Sequence, residues 1–496
     1  MPRIIGTTGG KVQGFERDGC EIHLGIPYAE PPFGAGLFRP PRPRTPWQGV
    51  RDCTAYGPIV PQPPMPVMPW PVEPGEDCLS VNVWSPAGAS GLPVMVWFHG
   101  GAYMYGSGAE PLYDGGAFAR DGVVLVTLNY RLGALGFLHA GALDPAYAQA
   151  TGNYGLADQI AALRWVRDNI AAFGGDPGNV TVFGESAGGT YVLSLLGCPS
   201  AAGLFRGVIS QSAGGPPLYG FPPEAAEPVA RLVLDELGVS PAELPSLPYQ
   251  RILDAQVAVL GRTGGEHGDA AAGGHTIPFL PLTGADLLPL APIDAVAAGA
   301  GAGVDLIAGT NRDELATFEF MRAGGPAFDA DRMWPDDPAR HARITAVYEA
   351  THEPGSPISV AVAVGTDRAF RVPSVRMAEA HARAGGATRM YLFGWRSPAF
   401  DGRLGAGHAM EIPFVFGDLA SPTLAMLLGD RPPARLADAM HGSWIAFATG
   451  GDPAAGGHVP EWPPYEPERR ATMVLDDACE VVLDPDAERL AAWNTP

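Results

Sequence analysis

The chain of 496 residues is 46% hydrophobic and 17% charged, which supplies a large core and argues against disorder. A formal net charge of −21 excludes a binder of phosphate backbones, which needs clustered Lys and Arg. The length exceeds the usual prior for one domain, yet α/β enzymes reach this size as a single body with insertions, so residues 1–496 are read as one domain.

In chain order, the opening "MPRIIGTTGGKVQG" lacks a continuous apolar stretch, so no signal peptide is expected. No run of about 18 apolar residues follows, so no membrane span is expected either. Residues 31–75 are rich in proline and predict irregular structure over the surface. The runs "PVMVWF" (93–98), "GVVLVTLNY" (122–130), "NVTVF" (179–183), "GVIS" (207–210) and "VDLIAG" (304–309) suit strands buried on both faces. Between the second and third, Leu156, Ile160, Leu163, Ile170 and Phe173 recur at helical spacing until "GGDPG" stops them. This alternation predicts an α/β class with a mostly parallel central sheet and crossover helices. Residues 221–300 and 315–385 read as helical and loop insertions that wall a pocket. A later strand, "RMYLF" (389–393), precedes a loop and a helix near 433–449.

The five cysteines, Cys20, Cys53, Cys78, Cys198 and Cys479, have no metal-type spacing. An odd number without an export signal points to free thiols and a reducing, cytoplasmic compartment.

Gly184, Ser186 and Gly188 form G-x-S-x-G. In a chain with 66 glycines this pattern can arise by chance, but "NVTVF" before it and "AGGTYVLSLL" after it supply a strand and a helix. That context makes a sharp turn lifting a serine hydroxyl above a sheet edge. A serine needs a base, and the base an orienting acid, which follow it in chain order in this kind of fold. The strand "VDLIAG" runs into "TNRDELA", which offers Asp313 and Glu314, and periodicity does not choose between them. "GAGHAMEIPFVFG" places His408 in a glycine-rich loop. His441 reads as an ordinary helix histidine, and His267 and His275 precede the acids and break the order. "FHGGAYMYG" (98–106), after a strand, lets backbone amides approach a substrate as an oxyanion hole would. Tyr103, Tyr105, Phe318 and Phe320 are candidates for pocket walls or for packing.

Together these segments resemble the type-B carboxylesterase family, the group of cholinesterases and bacterial p-nitrobenzyl esterases. The resemblance runs from "LGIPYAEPPFG" (24–34) through "EDCLSVNVWSP" (76–86), "HGGAYMYGSG" (99–108), "NYRLGALGFL" (129–138) and "GNYGLADQIAALRWVRDNIAAFGGDPGNVTVFGESAGG" (152–189) to "GTNRDE" and "HAMEIPFVFG". It implies an α/β-hydrolase fold and a serine carboxylesterase acting on small-molecule esters, without metal or cofactor. It also implies Ser186 as nucleophile, Glu314 as acid and His408 as base, with the amides of Gly101, Ala102 and Ala187 as oxyanion donors. Glu185 matches an acidic residue beside the nucleophile, and Ser212 a serine with a supporting hydrogen bond. The chain departs from the family pattern at Ala102, where a third glycine is usual, and at Leu315, where glycine is frequent. Val60 replaces a cysteine that often pairs with the equivalent of Cys78, so Cys78 is expected to be free. Trp70 does not match the offset of a choline-binding tryptophan. The same triad would serve acyl transfer or amide and carbamate hydrolysis. A non-catalytic binding module is disfavoured because every triad member is present.

Overall fold

Apolar runs rich in β-branched residues become strands covered on both sides, and their ends set out the chemistry. The computed structural model describes residues 3–64, 70–139, 141, 143, 152–263, 277–285, 287–321, 337–419 and 426–494. The chain divides into two compact units, residues 1–206 with 216–295 and residues 207–215 with 296–496.

The first unit contributes β1 (Ile4–Thr7), β2 (Gly10–Gln13), β3 (Phe15–Arg17), β4 (Cys20–Pro27), β5 (Val50–Asp52), β6 (Ser80–Pro86), β7 (Leu92–Phe98), β8 (Val124–Leu128) and β9 (Gly175–Glu185). Strands β9, β7 and β8 run parallel, and β6, β4 and β3 continue the sheet antiparallel. Val94 to Phe98 and every residue of β8 are buried, so this centre has no solvent-facing side. The helix Tyr154–Asn169 tightens into a 3₁₀ turn, Ile170–Phe173, and ends where Gly174 takes φ 88°. On that helix the buried Asp158 receives two hydrogen bonds from the Arg131 guanidinium, both at 2.7 Å.

The second unit carries β10 (Gly207–Gln211), β11 (Asp305–Asn311), β12 (Thr388–Phe393), β13 (Ala471–Leu475) and β14 (Glu480–Leu483). The first four run parallel and β14 closes a hairpin. The helices Pro223–Leu237 and Tyr249–Thr263, which belong to the first unit, occupy the first expected insertion, and Leu315–Met321, Pro338–Ala350, Val360–Thr366 and Val372–Arg383, in the second unit, the second.

The proline-rich stretch is less irregular than its composition implies, because β5 pairs parallel with β2 in a small separate sheet with β1. Glu21 and His23 mask β4 in the sequence. The strand nevertheless buries all eight residues, and Glu21 pairs at the rim with Arg3.

Candidate active site

Strand β9 ends at Glu185 and the helix Ala187–Leu196 begins two residues later. Ser186 makes the turn at φ 58° and ψ −120°, a conformation that non-glycine residues hold only when their surroundings impose it. The surroundings do so through Phe98, at the end of β7 and in register with Gly184. A Cβ on Gly188 would lie 2.0 Å from the Phe98 carbonyl oxygen, and one on Gly184 would lie 2.6 Å from it. Both glycines of G-x-S-x-G are therefore required by one passing carbonyl.

The loop after β7 lies against the serine. A Cβ on Gly100 would sit 3.1 Å from Ser186 Cβ and 2.8 Å from Glu185 Oε2. Gly101 has φ 110°, where a Cβ would collide with the Tyr105 carbonyl oxygen at 2.1 Å, and Ala102 and Tyr103 continue at φ 52° and 64°. The N–H groups of Tyr105 and Met104 both bond the Gly101 carbonyl. Among the described residues, the N–H groups of Gly101, Ala102 and Ala187 donate to no protein acceptor.

His99, Tyr130 and Gln62 hold this loop. His99 donates from Nδ1 to the Gly100 carbonyl at 2.8 Å and stacks on Tyr130, whose hydroxyl donates to the His99 carbonyl at 2.6 Å. Burial pushes His99 down to about 4, so it stays neutral through ordinary working pH. Gln62 clasps Gly106 from both sides, accepting from its N–H at 2.8 Å and donating to its carbonyl at 2.9 Å. Gln62 lies two positions after the cysteine-replacing Val60, the only cue the sequence offered for it.

In the second unit β11 delivers Asn311, and the turn after it presents the two acids left open by the sequence. Glu314 is fully buried; its Oε1 accepts from the Asn311 N–H at 2.7 Å and its Oε2 from His408 Nδ1 at 2.6 Å. Asp313 turns elsewhere, accepting from the Ala406 N–H and from Arg396. His408 packs against the rings of both Phe318 and Phe370, with centroids at 4.9 and 4.8 Å. Glu411, also fully buried, accepts from Gln211 Nε2 at 3.0 Å and Asn311 Nδ2 at 2.6 Å. Burial first and the charge of Glu314 second raise its pKa.

The remaining sequence candidates sort by packing. Ser212 turns at φ 50° with its N–H on the Gly309 carbonyl, and its buried hydroxyl has no hydrogen-bond partner among the described residues. His441 donates from Nδ1 to the Val415 carbonyl at 2.7 Å within the helix Ala434–Gly450, a structural use. His267 and His275 lie outside the described residues. Tyr103 packs edge-on against Tyr191, and Phe320 against Phe400 under Arg403. Tyr105 and Trp70 are part-buried. All five cysteines are free, Cys78 completely buried among them. Among the described residues no cluster of three His, Cys, Asp or Glu suits a metal ion, and no helix is long and apolar enough to cross a membrane.

Residues 1–493 match the model of the carboxylesterase family. The chain is 37% identical to para-nitrobenzyl esterase of Bacillus subtilis (strain 168), covering 98% of this chain and 97% of that protein. It is 32% identical to liver carboxylesterase of Sus scrofa, covering 99% and 93%. Among solved structures, a Geobacillus stearothermophilus carboxylesterase superposes with a TM-score of 0.87 at 38% identity, over 99% of both chains. These likenesses span the chain and share the α/β-hydrolase fold, a mostly parallel sheet with helices. The chain belongs to the carboxylesterase family and is a serine esterase that hydrolyses carboxylic esters.

Proposed function

We propose that Ser186 is the nucleophile, His408 its base and Glu314 the acid that orients the base. The observation that carries this reading is the 2.6 Å hydrogen bond from His408 Nδ1 to the buried Glu314 carboxylate. That bond fixes the tautomer with Nε2 as acceptor, and the carboxylate stabilises the imidazolium formed later. The Ser186 oxygen attacks the carbonyl carbon of a small-molecule ester while His408 Nε2 takes its proton. Negative charge then collects on the former carbonyl oxygen, where the N–H groups of Gly101, Ala102 and Ala187 receive it. His408 returns the proton to the departing alcohol, leaving an acyl group on Ser186. Water, deprotonated by the same imidazole, repeats the attack and releases the acid.

The strain at Ser186 supports the assignment, since strain of this kind clusters where chemistry is done. Glu185 would shape the field beside the nucleophile. Ser212, whose hydroxyl has no partner among the described residues, would give its supporting hydrogen bond to water or to a bound group. The free thiols support a cytoplasmic setting.

The test is covalent labelling with an organophosphonate, followed by peptide mapping. Label on Ser186 that disappears in Ser186→Ala, together with esterase turnover, is the expected result. Label at another serine in that variant removes the assignment.

A further inference from the structure

We propose that Asp313, the carboxylate next to the acid, is a positioning residue that sets the loop carrying His408; this rests on the reading of His408 as the base. Asp313 is 5% exposed and pairs with Ala406 in both directions. Its N–H donates to the Ala406 carbonyl at 2.9 Å, and its Oδ2 accepts from the Ala406 N–H at 3.0 Å. Residue 406 is two positions before the imidazole. The approach is close enough that a Cβ on Gly405, which sits at φ 55°, would lie 2.5 Å from Asp313 Oδ2.

The same oxygen accepts from Arg396 Nε at 3.1 Å, and Arg396 Nη1 reaches out to the exposed Glu353 at 2.7 Å. A buried carboxylate without a cation would be costly, and Arg396 supplies the cation. The neighbouring carboxylates thus divide the labour. Glu314 holds the ring, while Asp313 holds the backbone that delivers it. Asn311, whose Nδ2 donates to the Gly407 carbonyl at 2.7 Å, and Thr317, whose hydroxyl donates to the His408 carbonyl at 3.3 Å, fasten the rest of the loop.

Both side-chain bonds to Asp313 end on one oxygen, so Asp313→Asn can keep them and Asp313→Ala cannot. A base displaced by about 1 Å can cost on the order of 100-fold in rate. Asp313→Ala is therefore expected to lower kcat by roughly 10- to 100-fold with KM within about twofold. The far-downfield proton NMR signal of the His408–Glu314 hydrogen bond should weaken or move with it. Asp313→Asn should recover most of the loss and restore that signal. Asp313→Ala keeping kcat within twofold, or Asp313→Asn failing as badly as Ala, overturns the proposal. If Asp313→Ala does not fold, Arg396→Gln takes its place. A lowered kcat with a moved signal supports the proposal, and no change in either overturns it. His408→Ala belongs in the same series. Activity surviving there would sink the assignment of the base itself, whereas its loss alongside an indifferent Asp313→Ala sinks only the positioning role.

Discussion

Ser186 holds a backbone conformation costing about 1–3 kcal/mol in a residue with a Cβ, and glycine would occupy it without that strain. Ser186→Gly should therefore be inactive yet raise the melting temperature by about 1–2 °C, after the greater flexibility of unfolded glycine takes back part of the gain. A melting temperature at or below that of the parent would mean the turn is not strained. At Gly101 the requirement is the reverse, because a side chain there meets the Tyr105 carbonyl oxygen. Gly101→Ala should fold but lose on the order of 10²–10³ in kcat, the typical effect of losing an oxyanion donor. Steady-state kinetics on a p-nitrophenyl ester would check it. The residue scale is also where the sequence was most legible and where it stopped short. G-x-S-x-G could be read because close packing against one carbonyl demands its glycines. Asp313 against Glu314 could not, since adjacent acids in a turn differ only in which way the chain points them.

Among elements, the apolar parallel strands and the helix Tyr154–Asn169 were legible because burial on both faces or on one stripe leaves a periodic trace. Strand β4 was not, since Glu21 and His23 interrupt its apolar pattern and tertiary burial overrides that local signal. The C-terminal hairpin β13–β14 is short and half-exposed in its second strand, so it left little trace either. The histidine inside β4 has a measurable consequence. Burial lowers His23 to about 4, and His99 to about 4 likewise. In the unfolded chain both titrate near 6.5. The unfolded state takes up protons first as pH falls, so the stability linked to each group is complete above about 6.5 and is lost toward pH 4. The slope is at most about 1.4 kcal/mol per pH unit for each group. Asp367, raised to about 6 by burial, acts in the opposite sense over part of this range. The informative quantity is thus the difference between parent and His23→Phe. The variant should lose less stability between pH 6.5 and 4 in urea melts, and parallel curves would contradict the assignment.

At the scale of the whole chain, a formal charge of −21 repels itself and gives the molecule a net negative field. Esters bearing a positive charge should be processed with a kcat/KM that falls as salt rises, while neutral esters of similar size should show little change. Equal salt dependence for both would show that the field does not reach the substrate path. The thiols add a second property. Burial pushes Cys53 up to about 11 and Cys198 up to about 12, so neither supplies thiolate near neutrality.

Gly184 and Gly188 both rest on the carbonyl oxygen of Phe98, which opens the amide loop. The serine turn and the loop that opens at Phe98 thus share a single joint. A designer transplanting the serine turn into another hydrolase would have to carry the tip of the adjoining strand along with it.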